Sequence, residues 1–263
     1  MYWETVDLLK QLLKRLSKDE ICALRKDKDF IDKNIEVLKY YIKPGNYSDN
    51  FFLEPDHSFY KKTIQERAVI IKNKIGLKSF TCPPITLTYN DRPAAGTFNT
   101  KFQSYVSKAY FDPQNMRITQ IERKISDTPS FRIAIDRKYE DHSVISSSIL
   151  VHELTNFYFY VKGIKDIFQD NASEEQCCDI AIFLLGLGKL LMNSFSEYIE
   201  CFDDGKMIYA KPIDYLQWYY LVYVFEKVNI MNNISHKESL KNLNSDARNK
   251  LLTIRRYPDL FKS

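Results

Sequence analysis

The amino-acid sequence predicts a mostly helical α+β fold with a small mixed or antiparallel sheet. Long segments repeat apolar residues every three or four positions, as amphipathic helices do. Two short segments in the middle of the chain have the alternation or the β-branched content of strands. The 263 residues, of which 44% are hydrophobic and 14% aromatic, provide enough apolar surface for a large core.

Charge and composition argue against several classes of protein. The net charge is only +4, and acidic residues interleave with basic ones, as in the stretch 25–33, so we expect no nucleic-acid partner. The longest apolar stretches, 181–188 and 218–225, are too short to span a bilayer, which predicts no membrane association. The 5 cysteines form no CxxC pair and the N-terminus shows no secretory signal, so we expect a cytoplasmic protein with reduced thiols.

The first part of the chain is predicted to be an N-terminal helical appendage, residues 1–50, attached to a main domain, residues 51–263. Residues 4–16 have helical apolar spacing. Ser17 and Glu20 follow as a capping-box pattern, which predicts the start of a second helix.

The main domain is predicted to begin with a loop and one more helix. Residues 47–58 have the Ser, Asn, Asp and Pro content of a loop. The stretch of about 59–75 has helical spacing and ends at Gly76, a residue type that closes helices.

The small sheet is predicted to lie within about residues 78–136. ITLTYN at 85–90 alternates apolar and polar residues, and a DRPAAG turn follows it. FRIAID at 131–136 is a second clear strand, and the intervening residues hold possible short strands near 103–110 and 116–124. We expect this sheet to pack against the helix that follows it.

Helices are predicted for most of the remaining chain. The stretch 142–163 has the pattern of a long helix closed by Gly163. Ser173 and Gln176 form a capping-box pattern, which predicts a helix through about residue 194 with close packing at its glycines. The last predicted helices are an apolar one over 214–229 and two short ones that start at Ser235 and Ser245.

One stretch of the sequence has a pattern with chemical meaning, namely Val151-His-Glu-Leu-Thr-Asn156. Its His152–Glu153 pair lies midway along the predicted apolar helix, directly after a strand. About twenty residues later the next predicted helix carries Glu174 and Glu175. The chain has only 4 histidines, which limits any histidine-rich metal site.

This arrangement resembles the zincin-like HExxH metallopeptidases, in particular the branch whose third metal ligand is a glutamate on the next helix. The resemblance covers roughly residues 60–200 in the order strand, turn, strand, active-site helix and glutamate helix. It implies that His152 is the first zinc ligand, Glu153 the general base and Glu175 the third ligand. Asp179, one turn after Glu175, is then a partner that orients a histidine.

The family pattern explains why these residue types are needed. Two histidines four positions apart lie on one face of a helix and can bind the same zinc ion. The glutamate between them activates the metal-bound water. This chain departs from the pattern at Asn156, which stands where the second histidine is expected. An amide oxygen is a weak neutral ligand, so zinc binding should be severely weakened, although an ion that prefers oxygen ligands tolerates such a site better.

Simpler interpretations exist for each residue of the motif. His152 and Glu153 can be a polar strip on a helix, and Asn156 a hydrogen-bonding residue in a site that has lost its metal. Glu175 can serve as an acidic residue in the first turn of a capped helix. Cys178 or His142 can alternatively replace the missing ligand.

Three hypotheses for function follow. The first is a zincin-like protein with a degenerate site, which acts as a binding or regulatory protein and holds a peptide-like segment along an edge strand. The second is an active metal-dependent peptidase with a polypeptide substrate, in which His152, Asn156 and Glu175 hold the metal and Glu153 activates water. The third is a helical protein-interaction module that is unrelated to peptidases.

Overall fold

The computed structural model gives the arrangement of ten segments of the chain, and all structural statements below refer to these residues. The described residues are 17–42, 51–88, 96–102, 105–112, 117–125, 130–164, 171–194, 199–203, 206–210 and 216–262. Their helices are α1 (Lys18–Tyr41), α2 (His57–Tyr60), α3 (Ile64–Lys74), α4 (Ser143–Lys162), α5 (Asn171–Leu184), α6 (Gly188–Asn193), α7 (Trp218–Met231), α8 (His236–Leu240) and α9 (Ser245–Ile254). Their strands are β1 (Ile85–Thr88), β2 (Gly96–Phe102), β3 (Tyr105–Asp112), β4 (Arg117–Ile125), β5 (Ser130–Asp136), β6 (Ile199–Asp203) and β7 (Lys206–Ala210).

Helix α1 begins at the predicted capping box. The Ser17 hydroxyl accepts the Glu20 amide at 3.1 Å, and the Glu20 carboxylate accepts the Ser17 amide at 2.8 Å. One face of α1 packs against α5 and α7 and belongs to the same hydrophobic core as the rest of the chain. The helix predicted over 4–16 and the proposed boundary at residue 50 lie outside the described residues, so the division into two domains stays a prediction. The core residues of α1 are Leu24, Ile31, Ile35 and Leu38.

The helix predicted over 59–75 is divided in the structure. The short helix α2 comes first, and α3 begins after Thr63, whose hydroxyl accepts the Glu66 amide at 3.3 Å. The Glu66 carboxylate accepts the Thr63 amide in return, at 2.8 Å. This second capping box starts a new helix in the middle of the predicted one, and the apolar spacing does not reveal the break.

The small sheet is mixed, in the order β1–β5–β2. Strand β1 pairs with β5 in parallel, with Ile85 opposite Ile133, and β2 pairs with β5 antiparallel. Strands β3 and β4 form a separate antiparallel pair where the short strands were predicted. Helix α4 packs against β2 and β5, as expected. The predicted turn DRPAAG lies mostly outside the described residues.

Helix α4 matches its prediction, whereas the start and the length of α5 do not. Gly163 closes α4 with a left-handed backbone, φ 66°. Helix α5 begins at Asn171, so Ser173 lies inside it and the predicted capping box there is wrong. The local sequence Asp-Asn-Ala-Ser has several residues that can cap a helix, and spacing alone does not choose between them.

The predicted long helix through 194 also ends early. The chain leaves the helix at Gly186, whose φ of 74° is accessible to glycine but strained for other residues. A side chain there would collide with the Phe51 carbonyl, and one at Gly188 would collide with the Phe183 ring. The predicted close helix–helix packing is found at Gly188, beside Phe183 and Phe225, whereas Gly186 lies outside a helix and is approached by the Phe51 backbone.

The C-terminal part covers the other side of the core. Helix α7 is buried along most of its length, as its continuous apolar pattern predicts. Helix α8 is capped by Ser235, as predicted, whereas α9 is capped by Asn244, one residue before the predicted position. The antiparallel pair β6–β7 was not predicted.

The described residues therefore form a mostly helical α+β fold with a small mixed sheet. None of the described helices combines the length and the apolar character that a membrane crossing requires.

Candidate functional site: a histidine between two carboxylates

His152 lies in the middle of α4 with a carboxylate close to each nitrogen of its ring. Its Nε2 is 2.7 Å from Glu175 Oε2, and its Nδ1 is 3.3 Å from Asp179 Oδ1. The carboxylates come from α5, where positions four apart lie on the same face of the helix. The structure thus brings together three of the five residues that the family resemblance singles out, with Glu175 and Asp179 at different ring nitrogens.

Asp179 anchors the cluster to a third part of the chain. Its side chain is 1% exposed, and its second oxygen, Oδ2, accepts the amide of Leu216 at 3.0 Å. Leu216 lies just before α7, so Asp179 joins α4, α5 and the start of α7. No sequence pattern predicts this contact, because every residue except proline has a backbone amide hydrogen.

The position of the two carboxylates determines the protonation of the His152 ring. Both ring nitrogens face oxygens that only accept hydrogen bonds when ionised, which favours a proton on each nitrogen. Burial lowers the pKa of His152, but the hydrogen bonds with the Asp179 and Glu175 carboxylates raise it, and the result is a pKa well above the usual value. Burial also raises the pKa of the Cys178 thiol to about 12, so this thiol is protonated at neutral pH.

Asn156 lies one helical turn after His152, where the resemblance requires the second histidine. The residue is half-buried, and its Oδ1 atom is fully buried without a hydrogen-bond partner among the residues that the structure describes. A buried acceptor without a partner costs about 1–3 kcal/mol. The structure therefore retains an unfavourable group at the one position where the motif departs from the family.

The remaining candidates occupy different positions. Glu153 directly follows His152 in the sequence and is buried, with 6% exposure. Cys178 points its sulfur at the backbone carbonyl of His152, at 3.5 Å. His142 precedes α4 as its N-cap, ten residues and therefore about 15 Å along the helix axis from His152. His142 is thus too far away to replace a ligand beside His152.

Metal-binding capacity of the cluster is limited by its geometry. Within the described residues, no group of three or more His, Cys, Asp and Glu side chains is arranged to hold a metal ion. Asp179 contacts the ring nitrogen opposite the one that faces Glu175, so the two carboxylates and the ring do not point at a common centre. The amide oxygen of Asn156, one helical turn after His152, is a further atom of the kind that can bind a metal ion.

Comparison with known proteins gives no relative: no family model, no curated protein and no solved structure matches the chain. The fold and the site therefore define this protein only by class. It is a mostly helical α+β protein with a buried histidine–carboxylate cluster between two packed helices.

Proposed function

We propose that the chain is a zincin-like relative of the metallopeptidases with a degenerate metal site, and that it binds a polypeptide or protein partner with hydrolysis impaired. The observation that carries this proposal is the position of His152 between Glu175 and Asp179. The resemblance implies that His152 and Glu175 bind the same metal and that Asp179 orients a histidine, and the proposal is supported by the contacts of Glu175 and Asp179 with opposite nitrogens of the His152 ring.

The donor atoms present do not fit a catalytic zinc ion. Around tetrahedral zinc, two ligand atoms at 2.0–2.2 Å from the metal lie about 3.4 Å from each other. His152 Nε2 and Glu175 Oε2 are 2.7 Å apart, which is the distance of a direct hydrogen bond. Asn156 supplies a neutral oxygen in place of a second imidazole, so one of three strong ligands is missing. These facts support a site in which the histidine and the glutamate bind each other.

The small sheet supports the choice of an extended polypeptide as the partner. In the order β1–β5–β2, strand β2 is at an edge of the three described strands. Helix α4, with His152, packs against this strand. The unpaired backbone groups of an edge strand can bind an extended segment as an additional strand.

An active metal-dependent peptidase is the second candidate, and the buried Oδ1 of Asn156 is the observation that favours it. A metal ion that prefers oxygen ligands would pair that atom. His152, Asn156 and Glu175 would then hold the ion, and Glu153 would be the general base.

Metal analysis of purified protein separates these candidates. We expect the wild type to contain far less than one zinc per chain, and Asn156→His to bind zinc and unfold at a higher temperature when zinc is added. Asn232→His, which places a histidine at an exposed helix end, is the matched control and should gain neither property.

Other outcomes would lead to different conclusions. Near-stoichiometric metal in the wild type that is lost in His152→Ala would overturn the degenerate site in favour of the active peptidase. No metal in the wild type and no gain in Asn156→His, with that variant folded, would leave the unrelated interaction module as the better hypothesis.

A further inference from the structure

A buried arginine without a counter-ion lies against the first two turns of α4. Arg67 of α3 is 2% exposed, and α3 and α4 pack closely against each other. Its Nη1 donates to the Ser143 carbonyl and the Ser147 hydroxyl, and its Nη2 donates to the Ser146 hydroxyl at 3.0 Å. Within the described part of the chain, no carboxylate lies at ion-pair distance from this guanidinium.

The serine contacts do not neutralise the positive charge. Ser146 and Ser147 donate their own hydroxyl hydrogens to backbone carbonyls of α4, including a 2.9 Å bond from Ser146 to the His142 carbonyl. They therefore offer Arg67 only neutral lone pairs. Burial lowers the pKa of Arg67, which shows that its charge is poorly solvated.

Among the described residues, two donors of the guanidinium have no hydrogen-bond partner. A guanidinium has five N–H groups, and the three bonds above use both hydrogens of Nη1 and one of Nη2. The Nε atom is buried and has no partner in the described part of the chain. An oxyanion is the ligand that pairs best with adjacent N–H groups of an arginine, because its two oxygens match their spacing.

The start of α4 adds to the positive potential at the same place. The N-terminus of a helix carries a partial positive charge and unpaired amides. The N-cap residue His142 makes no capping hydrogen bond, and the first turn contains no acidic residue. Two of the three acidic residues just upstream have partners, since Asp136 contacts Lys138 and Glu140 contacts Arg137, and the third, Asp141, is exposed to solvent.

From these contacts we infer that Arg67 and the first turn of α4 form a binding site for a small oxyanion, a carboxylate or a phosphate. The ligand would pair the free Nε–H and supply the negative charge that the buried guanidinium lacks. Ser143 and Val144 are only half-buried, so this end of the helix can be reached from solvent. The inference does not depend on the proposed function of the His152 cluster.

Thermal unfolding with added anions tests the site. At constant ionic strength, sodium phosphate and sodium acetate are titrated separately against sodium chloride, which distinguishes the two anion types. We expect one of them to raise the midpoint in a saturable manner by about 2–4 °C. Arg67→Lys, which keeps the charge but loses the paired N–H groups, should weaken the apparent affinity at least tenfold. Arg25→Lys, at an exposed arginine, is the matched control and should behave like the wild type.

The same titrations can overturn the inference. A linear rise without saturation, of equal size in the wild type and in both variants, is a general salt effect and would exclude a specific site. No shift with either anion would mean that water satisfies Arg67. If Arg67→Lys fails to fold, isothermal titration calorimetry of the wild type and Arg25→Lys decides the question. Saturable binding of the anion to both supports the site, and no binding to either overturns it.

Discussion

Two buried polar clusters of this protein differ in how completely their groups are paired. In the first, Lys189 of α6 is fully buried and binds Glu54 Oε1 at 2.6 Å and the Glu238 carbonyl at 2.7 Å. The other oxygen of Glu54 accepts Asn242 Nδ2 at 2.9 Å, and the Lys189 ammonium lies 4.8 Å from the centre of the Phe52 ring. Beside the second, the cluster of His152, Glu175 and Asp179, the half-buried Asn156 has an oxygen with no partner within the described segments.

This difference leads to different expectations for the two clusters. The Lys189 cluster joins a loop, a helix end and α8, and its charges compensate each other, so it stabilises the fold. In the His152 cluster, Glu175 and Asp179 bind the two nitrogens of the ring, but one turn away the Asn156 oxygen has no partner among the described residues. Buried polar atoms without a partner are uncommon in native proteins. The comparison therefore predicts that mutations in the first cluster reduce stability, whereas some mutations in the second increase it.

The largest effect is expected for Lys189→Met. This change removes the ammonium and leaves the Glu54 carboxylate facing a buried site without its partner. Breaking a buried ion pair on one side costs about 3–5 kcal/mol. Urea unfolding followed by circular dichroism should show this loss as a large decrease in the midpoint.

The control for that prediction is Lys39→Met, at an exposed ion pair with Glu36. It should leave the midpoint unchanged, because exposed pairs contribute little. If Lys189→Met unfolds at the same urea concentration as the control, the structural role assigned to the first cluster is wrong.

A smaller loss is expected for Asp179→Asn in the second cluster. The amide keeps the shape of the side chain but removes the charge that faces His152 Nδ1. Buried hydrogen bonds to charged groups contribute about 1.5–3 kcal/mol, so the free energy of unfolding should fall by that amount. Proton NMR of the His152 ring should show a lower pKa in the variant, whereas a purely packing role for Asp179 predicts an unchanged pKa.

The sequence predicted the contacts of His152 better than it predicted helix boundaries. Spacing of four residues places Glu175 and Asp179 on one face of a helix, and a polar pair on an apolar helix must face something polar. Those rules are local, and the structure agrees with them. The division of the 59–75 helix at Thr63 and the end of α5 at Gly186 depend on tertiary contacts, such as the approach of Phe51, which a periodic pattern does not contain.

The site was only partly predictable for a similar reason. The resemblance to the HExxH metallopeptidases singled out the histidine, both carboxylates and Asn156. The backbone amide of Leu216 and the serines around Arg67 were not found, because the first has no side-chain signal and the second resemble ordinary polar helix residues.

A third polar cluster provides a prediction for pH. Asp32 of α1 accepts Tyr223 at 2.7 Å and Lys227 at 3.0 Å. Burial raises the pKa of Asp32, but the bonds from Tyr223 and Lys227 lower it more, so the pKa lies below the usual 3.8. Its contribution to stability is present above pH 3.8 and is lost as the pH falls through the lower folded-state pKa.

This contribution should be about 1 kcal/mol, because solvent screens a group that is partly exposed. Asp32→Asn should remove the corresponding part of the acid unfolding curve, measured as the urea midpoint between neutral and acidic pH. Identical curves for wild type and variant would show that the bonds of Asp32 with Tyr223 and Lys227 do not stabilise the fold.

The smallest effect has the opposite sign. Asn156→Leu replaces a half-buried amide, whose oxygen has no partner, with an apolar side chain of similar size. We expect a gain of about 0.5–1 kcal/mol in the free energy of unfolding in metal-free buffer, because an unpaired buried acceptor is removed. The matched change Asn193→Leu should instead be destabilising, because the Asn193 side chain donates to the Asn242 carbonyl and accepts the Asn244 amide. If both variants lose stability equally, the Asn156 side chain is paired and stabilises the fold as the Asn193 side chain does. The difference in pairing between the Lys189 cluster and the surroundings of His152 would then be wrong.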